Sequence, residues 1–189
     1  MKYNKKVVSV FSYIKYVLKT SFGGINIFLS KRRGISDMFR ERLMLSVTEV
    51  VGCAYCSYAH AKKALKAGLS DSEISSILSN EKTVIKKEEA LGIAYAISFA
   101  EESGIVSKDI NLKLKTGYGR KKANTIKSLV NMISIGNTIG VSNSILKSKL
   151  NKQKVNESFF MREIIIYLTT IILIPFAIIT FIIGIFFNL

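Results

Sequence analysis

The sequence predicts an all-α fold, and three observations lead to that prediction. Proline occurs once and glycine 12 times in 189 residues, so residues that break helices are scarce. Apolar residues recur at helical spacing, with little of the period-two alternation that half-buried strands require. Serine caps and glycine stops divide the chain into helical segments. We therefore expect a bundle of six or seven helices, followed by one C-terminal transmembrane helix.

Residues 1–35 are expected to form an N-terminal amphipathic helix and a basic linker. Lys15 interrupts the first apolar run too early for a cleaved signal peptide, and no small-residue cleavage site follows it. Gly23, Gly24 and the basic run at 31–34 are predicted to separate this helix from the next. The apolar side of the helix consists of Val7, Val10, Phe11, Ile14, Val17 and Leu18.

Residues 36–146 are expected to form the folded helical domain. Ser36 is placed to cap a helix from Asp37 to Val51, and Gly52 interrupts the chain after it. A second helix is predicted to run from Cys53 to a stop at Gly68. Gly136 and Gly140 fall inside the last predicted helix and could interrupt it. The remaining helices are predicted over residues 70–78, where a capping box opens the segment, and over 88–103, 107–114 and 121–146.

A charge-free apolar segment covers residues 164–187, after a basic linker over residues 147–163. A helix of that length spans about 36 Å, against roughly 30 Å of hydrocarbon in a bilayer. Pro175 and Gly184 fall inside the segment, which transmembrane helices tolerate. Basic residues precede the span and none follows it. The positive-inside rule therefore predicts a single-pass membrane protein with its helical domain on the cytoplasmic side.

The formal net charge of +15 needs its own explanation. The lysines are scattered along the chain, and no zinc finger, basic zipper or base-stacking motif accompanies them. We therefore expect solvated helix faces, with membrane lipids as partners of the basic linker and no nucleic acid.

Two cysteines and the only histidine lie within eight residues, as Cys53, Cys56 and His60. On a helix, positions i, i+3 and i+7 share one face. A disulfide across three residues closes too small a loop to stabilise the fold much, which favours a redox or metal role. If Gly52 ends the preceding helix, both cysteines enter the first turn of the next, where backbone N–H groups stabilise thiolates. His60 then lies one turn beyond Cys56, where it can take or return a proton.

A carboxylate that orients His60 would complete such a site. Glu41 lies eleven residues before Gly52, and His60 lies eight residues after it. If the two helices fold back at Gly52, Glu41 lies about 16 Å and His60 about 12 Å from the turn along their helices, so the two side chains can meet. Glu49 is only three residues before the turn and is too shallow. We therefore expect Glu41 to be the partner of His60.

The order and spacing of these residues resemble a known family. Glu41, eleven residues, Cys53, two residues, Cys56, three residues and His60 together resemble the signature of the AhpD-like alkylhydroperoxidases, within the carboxymuconolactone decarboxylase superfamily. Residues 61–74 and 90–96 are also similar to that family, and the resemblance covers roughly residues 36–146.

The resemblance implies an all-helical fold, assembly into trimers or larger homo-oligomers, and thiol-dependent reduction of a hydroperoxide substrate. By position, Cys56 would be the more reactive thiol and Cys53 its resolving partner, while His60 and Glu41 would relay the proton. The electron donor would be a thiol or a lipoyl-type compound, and no cofactor or metal is expected. In that family a histidine often stands between the cysteines, where this chain has Tyr55. The decarboxylase branch lacks the cysteine pair.

Two other interpretations of the same residues stay open. The chain could be a non-catalytic, membrane-anchored scaffold in which both cysteines are buried core residues. It could also be a metal-binding module that uses Cys53, Cys56, His60 and Glu41.

Overall fold

The structure is a computed structural model that describes residues 6–79, 85–151 and 160–188. Within those ranges it contains seven α-helices, one three-residue 3-10 helix and no strand, so the predicted all-α class is confirmed. Residues 152–159 of the predicted basic linker and the first five residues of the chain lie outside the described ranges. The helices are α1 Val10–Phe28, α2 Asp37–Val51, α3 Ala54–Ala67, α4 Asp71–Leu78, α5 Ala90–Glu101, α6 Lys108–Leu150 and α7 Phe160–Asn188.

The boundaries of α2, α3 and α4 follow from local capping. The Ser36 and Ser70 hydroxyls each accept a backbone N–H in the first turn of their helix, and Ser70 forms a capping box with Glu73. α2 ends at Gly52 (φ 73°) and α3 ends at Gly68 (φ 100°), both in the left-handed conformation that favours glycine. The turn at Gly52 folds α3 back against α2, as the sequence predicts.

α2 lies at the centre of the bundle and packs against α3, α5 and α6. Its Leu43 and Val47 are fully buried, together with Phe99 of α5 and Ile126 and Leu129 of α6. Burial of each such side chain contributes roughly 1.5–3 kcal/mol. This core fixes α2, which carries Glu41, in position relative to α6.

α1 does not end at the glycine pair, so this part of the prediction is wrong, whereas the basic run at 31–34 does separate α1 from α2. The helix continues through Gly23 and Gly24 to Phe28. A Cβ at Gly23 would lie only 2.4 Å from the Ser128 hydroxyl oxygen of α6. Glycine costs a helix interior about 1 kcal/mol relative to alanine, but here it allows α1 and α6 to pack in close contact.

α6 is broken where the sequence predicts a break. The segments predicted over 107–114 and 121–146 correspond to two helical parts that meet at a kink, where Gly119 has a non-helical conformation (φ 72°, ψ 163°). Gly136 and Gly140 lie inside the helix without interrupting it. The kink at Gly119 is the only break in α6, and the part that follows it runs unbroken past the candidate site.

α7 runs parallel to α1. The Arg162 Nε donates to the Val8 carbonyl at 3.0 Å, and farther along both helices the Tyr13 Oη lies 2.6 Å from the Thr170 Oγ1. By length and composition, the segment Met161–Thr180 could cross a membrane, and most of its side chains are exposed in this chain. On the side of α7 that packs on α1, residues are spaced alternately three and four apart, as in coiled-coil helices. These residues are Glu163, Ile166, Thr170, Leu173 and Ala177.

A buried arginine connects α2 to the outer helices. Arg42 Nη2 donates to Glu73 Oε1 at 2.8 Å, and its Nη1 donates to Glu89 Oε2 at 3.0 Å. The side chains of Arg42 and Glu89 are buried, whereas that of Glu73 is 39% exposed. Because an unpaired buried charge is costly, this cluster holds α4 and the start of α5 against α2.

The Glu73 carboxylate should give the fold a measurable acid dependence. Its pKa is lowered to about 2, first by the Ser70 backbone N–H and then by Arg42. A folded-state pKa below the unfolded value stabilises the protein above that unfolded value, and the stabilisation is lost as the pH falls through the folded value. The free energy of unfolding should therefore decrease between about pH 4.5 and 2, and decrease less in Glu73→Gln. Urea unfolding at each pH measures this.

Asp71→Asn is the matched control, because Asp71 is an exposed carboxylate in the first turn of the same helix. The loss of unfolding free energy between pH 4.5 and 2 should be larger in Asp71→Asn than in Glu73→Gln, because Asp71→Asn retains the contacts of Glu73 with Ser70 and Arg42. Parallel profiles for the wild type and Glu73→Gln would contradict the assignment.

Candidate active site

The cysteine pair lies at the N-terminus of α3. Gly52 ends α2, and Cys53 is the N-cap residue of α3, with its Sγ accepting the Cys56 backbone N–H at 3.3 Å. The two cysteines are joined as a disulfide, with their Cα atoms 5.3 Å apart, and both are buried. After reduction, the same N–H and the helix dipole would stabilise a thiolate at Cys53.

Two glycines of α6 bring its backbone against this pair. The Cys56 Sγ lies 3.8 Å from the Gly136 carbonyl oxygen. A Cβ at Gly140 would lie 2.6 Å from the Cys53 Sγ and 2.9 Å from the Cys56 Sγ, which is closer than real Cβ contacts come. A Cβ at Gly136 would meet no atom within 4 Å. Glycine at 140 is therefore what allows α6 to contact both sulfurs, while the space beside Gly136 is open.

His60 is held by a buried carboxylate. Its Nδ1 lies 2.7 Å from Glu41 Oε2, and the two side chains are 14% and 5% exposed. Arg40 Nε lies 3.5 Å from the other Glu41 oxygen. A carboxylate at Nδ1 fixes the orientation of the imidazole and leaves Nε2 to exchange protons. The two side chains meet, as the spacing around Gly52 predicts.

Glu49 is not the partner of His60. It lies in the last turn of α2, where burial raises the pKa of its carboxyl group. Glu49 lies too close to the turn at Gly52 to reach His60, which Glu41 contacts farther from the turn.

A buried polar pair connects α2 to the turn of α6 that contains Gly136 and Gly140, which we call the glycine turn. The Thr48 Oγ1 donates to Asn137 Oδ1 at 3.2 Å, and neither residue is exposed. Asn137 follows Gly136 directly, and Thr48 lies one turn before Gly52. This hydrogen bond therefore fixes the end of α2, and with it the start of α3, against the part of α6 that contacts the sulfurs.

Two tyrosines of α3 are exposed next to the cysteines. Tyr55 is 77% exposed and Tyr58 is 68% exposed. Tyr55 lies between the two cysteines in the sequence, and its side chain is open to solvent. In a single chain, the surface of α3 beside the site is therefore aromatic and open.

The structure brings the predicted residues together in two contacts, the Cys53–Cys56 disulfide and the Glu41–His60 pair. His60 lies one turn beyond Cys56 on α3, and no hydrogen bond joins it to either sulfur. The catalytic roles of these four residues stay predictions.

The sequence did not assign Gly136 and Gly140 to the site. Their spacing of four inside an apolar helix is a signal of close backbone approach that could have indicated it.

No group of three or more His, Cys, Asp or Glu side chains that could hold a metal ion occurs in the described parts of the chain. The interpretation as a metal-binding module therefore gains no support from the geometry.

Comparison with known proteins relates this site to one family. Residues 20–96 match the carboxymuconolactone decarboxylase family, and that segment contains all four candidate residues. No curated protein and no solved structure matches the chain. The matched segment begins within α1, includes α2, α3 and α4, and ends within α5. Residues 20–96 of the chain are therefore similar to the carboxymuconolactone decarboxylase family, in agreement with the resemblance of the cysteine and histidine spacing to its AhpD-like members.

Proposed function

We propose that the chain is a thiol-dependent oxidoreductase that reduces hydroperoxides with the dithiol of Cys53 and Cys56. The observation that carries this proposal is the placement of both cysteines at the start of α3, on the helix whose His60 contacts the buried Glu41. The cysteine pair favours a peroxidase over a decarboxylase, because the decarboxylase branch of the family lacks it.

The first step oxidises Cys56. Its thiolate attacks one oxygen of the hydroperoxide, the O–O bond breaks, and the sulfur becomes a sulfenic acid. His60 accepts the thiol proton and returns it to the departing alkoxide, which leaves as an alcohol. Glu41 keeps the imidazole oriented and stabilises its protonated form.

The second step forms the disulfide. The Cys53 thiolate, stabilised by the Cys56 backbone N–H, attacks the sulfenic sulfur. The S–O bond breaks, and the hydroxide takes up the proton that Cys53 lost on forming its thiolate and leaves as water. A thiol or lipoyl-type donor then supplies two electrons and two protons to restore the dithiol. Over one cycle, the hydroperoxide becomes an alcohol and water while the donor becomes a disulfide.

Homo-oligomer formation is part of the proposal. Tyr55 and Tyr58 leave exposed aromatic surface beside the cysteines in a single chain. Exposed aromatic patches of this kind are typical of protein interfaces. Association through α3 would cover this surface and restrict access to the sulfurs.

Membrane attachment through α7 is also part of the proposal. α7 is long and apolar enough to cross a bilayer. The basic residues that precede the span support a cytoplasmic location for the domain. Its contact with α1 adds a constraint, because α1 carries Lys15 and Lys19 alongside the first half of α7. An α7 that crosses the bilayer must separate from α1, since both lysines would otherwise enter the hydrocarbon at a cost of about 2.5–3.5 kcal/mol each.

Cysteine substitution tests the proposed reaction. Cys53→Ser and Cys56→Ser should each reduce steady-state peroxide turnover by roughly a hundredfold or more, because neither variant can form the internal disulfide. His60→Gln should slow turnover by roughly 10²- to 10⁴-fold through loss of proton transfer. The measurement is hydroperoxide consumption by the full chain with a small dithiol as donor.

Tyr58→Phe is the matched control on α3, because it changes an exposed side chain near the site without removing a proposed reactive group. It should keep wild-type turnover. Wild-type rates in both serine variants would eliminate the dithiol mechanism.

The contact between the sulfurs and Gly140 predicts a redox effect. Gly140→Ala places a methyl group within 2.9 Å of both sulfurs, and this crowding should disfavour the disulfide more than the separated thiols. Overpacking costs typically 1–3 kcal/mol, so the thiol–disulfide equilibrium should shift toward the reduced form by roughly tenfold. Equilibration in buffers of defined dithiol ratio measures the shift.

Gly136→Ala is the matched control in the same helix, because its methyl group would enter open space and its carbonyl is retained. An equal shift in both variants would show that the effect does not arise from contact with the sulfurs.

A further inference from the structure

The α6 backbone beside Cys56 is open to solvent at one residue. Gly136 is exposed, and a Cβ built on it would meet no atom within 4 Å. Its carbonyl oxygen lies 3.8 Å from the Cys56 Sγ. The open space at Gly136 is therefore next to the sulfur that the proposed reaction oxidises first.

Two other sides of the cysteine pair are closed by packed chain. Gly140 lies directly against both sulfurs and leaves no room for even a methyl group between them. The Lys6 backbone N–H donates to the Val51 carbonyl at 2.9 Å, so the segment before α1 packs on the end of α2, where the chain turns into α3. Val8 of this segment and Val51 are both buried. Neither side offers a small molecule a way to the sulfurs.

The two cysteines differ slightly in exposure. Cys56 keeps 7% of its surface exposed, against 3% for Cys53. Because the Gly136 backbone beside Cys56 carries no side chain and has no covering neighbour among the described residues, a molecule from solvent can approach Cys56 over this glycine.

The surface around this approach is uncharged. No Asp, Glu, Lys or Arg occurs between Ser128 and Leu146. Met132 lies one turn before Gly136 on the same face of α6 and is partly buried against the main core. A methionine side chain is flexible and apolar, so it adapts to apolar groups of different shape. Such a surface offers no counter-charge to an ionised substrate and favours a neutral organic hydroperoxide.

We propose that Gly136 is a specificity-determining residue, over which the hydroperoxide reaches Cys56. The missing side chain admits hydroperoxides whose carbon next to the O–O group is branched or carries a ring. A larger residue at this position would restrict the reaction to small hydroperoxides. The specificity rests on the proposed peroxidase function, but the access route to Cys56 does not, so the two are tested separately.

Alkylation measures the access route without any peroxide. In Cys53→Ser, Cys56 is the only thiol of the chain, and serine is a good N-cap residue for α3. The full chain, reduced in a neutral maltoside detergent, reacts either with iodoacetamide, which is small, or with N-phenylmaleimide, which carries a ring. Both reagents react with the thiolate, so the ratio of their rates cancels any change in the thiolate fraction.

Gly136→Leu should lower the rate with N-phenylmaleimide by roughly tenfold or more and the rate with iodoacetamide by less than about threefold, because added bulk raises the barrier mainly for the larger reagent. Gly136→Ala should give an intermediate ratio. Leucine and alanine both have a higher helix propensity than glycine, so the thermal midpoint should not fall in either variant.

Asn143→Leu is the matched control. Asn143 is also exposed, and it lies seven residues beyond Gly136 on the same face of α6. The substitution adds a leucine side chain two turns away from the proposed route and should leave the ratio of the two alkylation rates unchanged.

Peroxide turnover then tests the specificity in the chain that has both cysteines. In Gly136→Leu, kcat/KM should fall by roughly tenfold or more for cumene hydroperoxide and by less than about threefold for hydrogen peroxide. Asn143→Leu should keep both values.

The outcomes separate this proposal from the proposed function. An unchanged alkylation ratio in Gly136→Leu, or equal slowing of both reagents, would overturn the access route. The same shift in Asn143→Leu would overturn it too, because the effect would not arise at Gly136. A shifted ratio in Gly136→Leu alone, in a chain that consumes no hydroperoxide, would support the access route and reject the peroxidase function instead.

Discussion

The close approach between the first turn of α3 and the glycine turn of α6 is the constraint on which the candidate site depends. Both sulfurs lie where a side chain at Gly140 would be, so any larger residue there would force the two helices or the two sulfurs apart. The left-handed turn at Gly52 brings α3 to this position. The buried Thr48–Asn137 hydrogen bond holds the end of α2 beside the same turn of α6. Backbone contact, rather than a side-chain pocket, therefore forms one wall of the dithiol site.

α2 links this site to the rest of the bundle through two neighbouring residues. Glu41 faces α3 and holds His60, whereas Arg42 points to the outer helices and binds Glu73 and Glu89. Because both side chains leave the same turn of a buried helix, a displacement of the outer helices would be transmitted to the carboxylate that orients the imidazole. The ion-pair cluster is thus a structural support for the Glu41–His60 pair.

The sequence predicts the local features of this fold well. The caps at Ser36 and Ser70, the turn at Gly52 and the contact of Glu41 with His60 all follow from spacing along one or two adjacent helices. Contacts between distant segments could not be predicted in this way. Gly23 resembles a helix stop until Ser128 is placed against it, and Gly140 resembles a weak point in α6 until the sulfurs are placed beside it. The parallel pairing of α7 with α1 joins segments about 150 residues apart, and neither helix alone indicates it.

The measurement that tests the central claim most directly is a stoichiometric titration of the fully reduced chain with an alkyl hydroperoxide, followed by thiol counting and mass spectrometry. One equivalent of hydroperoxide per chain should remove both free thiols, release one equivalent of alcohol and lower the mass by two hydrogens, with the new bond mapped between Cys53 and Cys56. Two free thiols remaining after complete exposure would contradict the account. So would oxidation of the cysteines to separate sulfinic or sulfonic acids without a disulfide.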